Sequence, residues 1–153
     1  MSPDKIASTV RREVPLLRDD ERLHDALGKI IGADVPALPV VDAGGTLVGI
    51  FGEREFIGAL FPGYLQTLGY AGFVGRSLDD ALEKRKTCGA ERVGEHMNTD
   101  HIDVGEDFSD TEVAEIFLHH RVLIVPIVDG DRVTGIVTRE DFFRALAQRV
   151  LDA

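Results

Sequence analysis

The chain has 153 residues, 44% hydrophobic and 29% charged, which is the composition of an ordinary globular protein large enough to bury a core. Its formal charge of −10 argues against a nucleic-acid partner, because backbone binding draws on clustered Lys and Arg, whereas a mononucleotide needs only a few local donors. No apolar run approaches the roughly 20 residues of a membrane span and the N-terminus carries no signal pattern, so a cytoplasmic protein without a membrane span is expected.

The predicted elements follow one plan, run through twice: strand, helix, strand, hairpin turn, strand, helix. In the first copy, Leu23, Leu27, Ile30 and Ile31 recur at helical spacing. Leu38-Pro39-Val40-Val41-Asp42 reads as a strand, Gly44-Gly45 lies in the hairpin turn, and Gly49-Ile50-Phe51 returns antiparallel. Glu55 then opens a helix carrying Phe56, Ile57 and Leu60. Gly44-Gly45 is no phosphate loop, since no Gly-Lys-Ser/Thr follows it.

Residues 61–92 match neither copy. The Pro62-Gly63 break, the aromatics Tyr64, Tyr70 and Phe73, and a Ser77-Leu78-Asp79-Asp80 cap suggest a compact insert with short helices, covering the core edge or serving as a lid or partner surface. Cys88 lies in this polar connecting stretch as the single cysteine, a free thiol with no catalytic context.

The second copy begins with an extended piece at 102–104 and a capping box, Ser109-Asp110-Thr111-Glu112, ahead of Val113, Ile116 and Phe117. Residues 122–128 are a β-branched run interrupted by Pro126, which predicts an irregular start or an edge rather than a central ladder position. Asp129-Gly130-Asp131 turns the chain, 133–137 pairs back, and Thr138-Arg139-Glu140-Asp141 opens a last helix on which Phe142, Phe143, Leu146, Val150 and Leu151 share a face.

The repeat is explicit in Val125-Pro126-Ile127-Val128-Asp129 and Gly135-Ile136-Val137, set against Leu38-Pro39-Val40-Val41-Asp42 and Gly49-Ile50-Phe51. The offset is 87 residues from Pro39 to Pro126 and 86 from Gly49 to Gly135, so the copies differ by one residue, in the turn. Units this small bury too little apolar surface alone and pack against their copy.

These paired hairpins, with Val93-Gly94-Glu95-His96-Met97-Asn98-Thr99 ahead of the second and the Gly135-to-Asp141 signature at its end, resemble the tandem cystathionine-β-synthase (CBS) domain pair, or Bateman module. The resemblance covers everything but the insert and assigns repeat 1 to residues 6–60, the insert to 61–92 and repeat 2 to 93–153. It implies an α+β fold of two βαββα units packed sheet against sheet about a pseudo-twofold axis, with two related clefts and a homodimer as the common assembly. It also implies a non-catalytic sensor of adenosyl ligands, AMP, ADP, ATP, S-adenosylmethionine, NAD(H) or a cyclic dinucleotide, acting on a regulated enzyme or transporter.

By position, the resemblance gives the ribose to Asp141 and a phosphate or ribose contact to Thr138. The start of the last helix, with Arg139, offers backbone N–H groups and the positive end of its dipole. Adenine is expected between Thr99, His101 and Ile102 of the approach segment and Ile124, Val125 and Pro126 of the hairpin strand. Arg11, Arg12 or Arg54 from the first repeat would reach the phosphates from the other lobe. Thr138-x-x-Asp141 is equally a capping box, which alone accounts for both residue types. In the first copy Gly52 replaces the hydroxyl and Glu55 the shorter acid, so that cleft is expected to be empty, altered in preference or filled by the insert.

Other chemistry is less supported by the residues. His96, His101, His119 and His120 lack zinc spacing, and the acidic stretch Asp100, Asp103, Glu106, Asp107 and Asp110 reads as a solvated face or, alternatively, a Mg²⁺ sensor. No nucleophile with a base, P-loop or apolar carboxylate pair is present in recognisable context, so an enzyme is not expected. The alternative from a different class is an adaptor whose insert docks a partner.

Overall fold

The computed structural model describes residues 6–61 and 78–153. Two three-stranded sheets, each with helices on one face, repeat one topology. In the first repeat β1 (Leu17–Arg18) leads to α2 (Leu23–Ala33), β2 (Ala37–Val41), β3 (Leu47–Gly52) and α3 (Glu53–Leu60), after a short α1 (Ile6–Val10). In the second, β4 (Val104–Gly105), α5 (Asp110–His119), β5 (Ile124–Asp129), β6 (Arg132–Thr138) and α6 (Arg139–Leu151) follow the same plan, with α4 (Leu78–Lys84) between the two. The architecture is α+β.

Both sheets have the order first, second, third strand, with a parallel outer pair and an antiparallel hairpin. Pro39 faces Ile50 and Pro126 faces Ile136, and each hairpin carries a register shift one residue later. Sequence register and structural register therefore agree residue by residue.

β5 is central, lying between β4 and β6, which corrects the edge position expected from Pro126. The proline fits because its backbone has no donor to lose there. Ile136, opposite it, directs its own N–H and C=O away from β5 to Arg12, both at 2.9 Å, so Pro126 and Ile136 form a non-hydrogen-bonded pair. On the other side, pairing with β4 starts only at Ile127. Pro39 is placed the same way, because Ile50 bonds Asn98 instead.

Those two pairs of bonds are the seam of the molecule. Arg12 lies ahead of β1 in repeat 1 yet pairs with β6 of repeat 2, while Asn98 lies ahead of β4 in repeat 2 yet pairs with β3 of repeat 1. The exchange extends to α1, whose Ile6 and Ala7 N–H groups donate to the Asp110 carboxylate at 2.8 and 2.9 Å and whose Ala7 is buried in the core of repeat 2. The hairpin strands are buried on both faces in consequence. Ile124 and Ile136 pack with Leu38, Phe51 and Leu23 of repeat 1, while Val125, Ile127 and Val137 pack under α5 and α6.

The described end of the insert is stitched to repeat 1: Leu23 N–H donates to Glu91 O, Val93 N–H to Glu21 O, and Arg85 Nε to Ala59 O. Cys88 is a free thiol, as expected, but it is buried there in a 3-10 turn packed on α2 rather than set in a polar connector. Tyr64, Tyr70, Phe73 and the Pro62-Gly63 break lie outside the described residues.

Helical spacing overestimates burial at three sites. Leu23 and Ile30 are buried but Ile31 is 78% exposed; Leu60 is buried but Ile57 is exposed; Phe142 is buried while Phe143, Leu146, Val150 and Leu151 face outward. Each helix covers one side of a three-stranded sheet, which is too narrow to bury a full apolar arc.

Gly52, the counterpart of Thr138, has no space for a side chain: a Cβ there would run into Pro36 O and into Cα and Cβ of Ala37. Gly52→Thr, although it copies the second repeat, is expected to lower unfolding stability by about 1–3 kcal/mol or more through overpacking. A denaturant midpoint equal to that of the parent chain would contradict this packing.

Candidate functional site

The exchange of approach segments determines which residues meet. Each cleft combines the approach segment of one repeat with the helix start of the other, so the nine residues expected to form one site do not all meet: three lie at one helix start, two at the other cleft and four at neither. Thr138, Arg139 and Asp141 lie with Arg12. Asn98 and His101 lie with Arg54 and Glu55, and Ile124 lines that same cavity. Ile102 packs against the core of repeat 2, Val125 lies under its helices, Pro126 is mid-strand, and Thr99 is exposed.

At the second-repeat helix, Thr138 is 3% exposed and its Oγ1 accepts the Asp141 N–H at 3.0 Å, an N-cap that holds the first turn of α6. The Asp141 carboxylate points outward from that turn. Arg12 grips it with both arms, Nε to Oδ2 at 2.6 Å and Nη2 to Oδ1 at 3.0 Å. This bidentate bond holds the Asp141 carboxyl below its ordinary range and raises Arg12 further. Arg12 is the site residue hardest to place from sequence, since the signal that puts it at Asp141 is a pairing across repeats rather than a local motif.

At the first-repeat helix, the longer acid behaves differently. Glu55 folds back so that Oε1 accepts Gly52 N–H at 2.9 Å, and burial pushes its carboxyl above the usual carboxylate range. Ala37, Ile50, Ile124, His101 and Arg54 enclose a cavity beside it of about 30 Å³, far below the ~300–1,000 Å³ of small-molecule pockets. His101 Nδ1 is buried there without a hydrogen-bond partner, while its Nε2 lies 3.6 Å from Asp103. Arg54 closes one side by donating to Arg121 O. Between the two helix starts runs a wider groove of about 450 Å³, lined by Pro36, Glu53, Leu123, Arg139, Glu140 and Phe143.

Two acids of the acidic stretch are committed to structure, while Asp100, Asp103 and Asp107 are exposed, as a solvated face would have them. Asp110 caps α1, and Glu106 pairs with Arg11 and Thr134. Among the described residues, the metal-ligating side chains that converge are Glu91, Glu95 and His96, but Arg85 already holds Glu91 bidentately at 2.8 and 2.7 Å and places a cation there.

Comparison with known proteins agrees with this geometry. The profile of the CBS domain matches residues 6–62 and again 93–148. The chain is 28% identical over 122 residues to the uncharacterized protein YlbB of Bacillus subtilis, covering 79% of this chain and 68% of that one. In fold it is similar to the CBS-pair protein CBSX2 of Arabidopsis thaliana, with a TM-score of 0.72 and 21% identity over 99% of this chain and 100% of the other. It is also similar to CBSX2 in complex with AMP, with a TM-score of 0.67 and 20% identity over 95% and 97% of the two chains.

Glu55 gives a pH signature with a definite sign. Its raised folded-state value means the folded protein binds the extra proton, so stability falls as pH rises from the ordinary carboxylate range through the raised value. Glu55→Gln keeps an acceptor for Gly52 N–H and removes the titration. Unfolding measured from acid to neutral pH should therefore lose that downward slope, with the variant at least as stable as the parent at neutrality; an unchanged slope would assign it to other groups.

Proposed function

The chain belongs to the CBS domain family, and from that membership we propose that it is a regulatory pair that binds an adenine nucleotide or related adenosyl ligand at the Asp141 cleft. The observation that carries the reading is the Asp141 carboxylate. Two acceptor oxygens stand at the start of α6, facing the seam between repeats, as a vicinal ribose diol requires. The helix start with Arg139 is suited to a phosphate, and the wide groove between the two helix starts gives it space. The AMP bound by a protein of the same fold supports the ligand class. Thr138 serves as a cap within this reading, and adenine is assigned to the approach segment of repeat 1 rather than to Thr99, His101 and Ile102. The role is sensing, passed to an enzyme or transporter, and not catalysis. No helix of the described residues is long and apolar enough to cross a membrane.

A homodimer is part of the proposal. Ile57 on α3 and Phe143 on α6 are counterparts 86 residues apart, 54% and 65% exposed, and Leu146, Val150 and Leu151 extend the apolar surface of α6. An apolar surface repeated on both sides of a pseudo-twofold axis suits a second copy of the chain.

A thermal-shift panel of AMP, ADP, ATP and S-adenosylmethionine tests the ligand. A saturable rise is expected for at least one of them, equivalent to roughly 2.7 kcal/mol at a hundredfold excess over Kd, and Asp141→Asn should remove most of it. A flat panel for protein shown to carry no co-purified nucleotide would overturn the reading. For the assembly, sedimentation of the parent chain should give a dimer and Phe143→Glu a folded monomer; a monomeric parent would refute that part alone.

A further inference from the structure

We propose that Arg12 is a specificity-determining residue that makes the Asp141 cleft select phosphorylated nucleosides over uncharged or cationic adenosyl compounds. The inference rests on the reading of that cleft given above and narrows its ligand class.

The argument begins with competition for two oxygen atoms. Arg12 Nε and Nη2 donate to Oδ2 and Oδ1 of Asp141, the same two acceptors that a ribose diol would use. Each carboxylate oxygen has a second lone pair, but with Arg12 across it the Asp141 side chain is only 18% exposed, so a diol reaches these oxygens by displacing the guanidinium. Arg12 cannot then leave, because its backbone N–H and C=O are both bonded to Ile136 at 2.9 Å. Only its side chain can swing, and the cation remains at the cleft.

What the released guanidinium meets decides affinity. The protein offers little: the Asp34 carbonyl stands at the edge of reach at 3.5 Å, and the carboxylates of Asp34 and Glu140 are exposed and screened by water. A neutral nucleoside brings no anion, so its diol would replace a charge-assisted fork with weaker bonds and leave a cation unpaired. S-adenosylmethionine brings a sulfonium and an ammonium against a single carboxylate, so its net charge is positive like that of the released guanidinium. A phosphate returns a planar pair of acceptor oxygens to the fork, so that the broken ion pair is exchanged for another. The cleft thereby reads the phosphate through Arg12 and the ribose through Asp141.

Titration calorimetry of the full chain with AMP and with adenosine tests this. The parent chain should bind AMP about 10–100-fold more tightly than adenosine, the range expected of a charge-assisted hydrogen bond. In Arg12→Ala adenosine should tighten, since no pair must be broken, and AMP should weaken, bringing the ratio toward one. Arg12→Gln keeps the backbone bonds and a donor to Asp141 and should narrow the ratio in the same direction, which guards against misfolding of the alanine variant. If AMP binds and the ratio is the same in all three proteins, the selectivity role is refuted and the adenosyl reading stands. If neither compound binds any of them, this inference fails, and the adenosyl reading fails with it where ADP, ATP and S-adenosylmethionine also give no thermal shift.

Discussion

Two pairs of backbone hydrogen bonds, Arg12 with Ile136 and Asn98 with Ile50, hold the arrangement on which the rest depends. Each adds one residue of a foreign approach segment to the outer edge of a hairpin. That edge would otherwise expose unpaired N–H and C=O groups. The pairing turns the backbone of β3 and β6 away from β2 and β5 at one position, and that position is where both prolines sit. It also brings each approach segment close above a glycine: a Cβ at Gly135 would come within 3.0 Å of Arg12 O, and one at Gly49 within 3.0 Å of Asn98 O. The Pro and Gly of the repeated hairpin therefore answer the same physical demand, a close strand crossing from the other repeat.

Much of this was legible in the sequence. The two hairpins, their one-residue difference in the turn, and the Ser109 and Thr138 caps all depend on contacts within a few residues, and such contacts leave local patterns. The partner of the Asp141 cleft was legible only as one of three arginines, Arg11, Arg12 or Arg54, because Arg12 and Asp141 are 129 residues apart and an arginine in an approach segment carries no periodic signal. Grouping Thr99, His101 and Ile102 with Asp141 assumed that a repeat closes on itself. Pro126 misled for a related reason: the rule against proline in a central strand presumes that both neighbours pair with it, and here one neighbour is turned away and the other stops short.

One methylene separates the chemistry of the clefts. At the third position of a helix Glu reaches back to the N-cap backbone, as Glu55 does with Gly52, and its charge is then spent on the cap and partly desolvated. Asp141 leaves the capping to Thr138 and keeps its carboxylate for the seam, where a cation from the other repeat finds it. The backbone is pseudo-symmetric while the electrostatics are not. The first cleft holds a self-satisfied acid beside an imidazole whose buried Nδ1 has no hydrogen-bond partner, and the second holds an ion pair across the repeats.

That asymmetry bears on how occupancy would be transmitted. A ligand shifts an equilibrium between arrangements only by binding them differently, so a signal requires a contact that changes with the relation of the two repeats. Arg12 meets this condition by position. Its backbone belongs to the sheet of repeat 2, its side chain holds the helix of repeat 2, and within a few residues the chain enters β1 of repeat 1 at Leu17. Any ligand that moves the guanidinium acts at the point where the chain passes from one lobe to the other. Asn98 occupies the equivalent crossing ahead of β4 without a charge to be moved. Of the two crossings, the one at Arg12 couples an ionic contact to the register of the strands, so under the proposed function the second-repeat cleft is where a bound phosphate would act between the lobes.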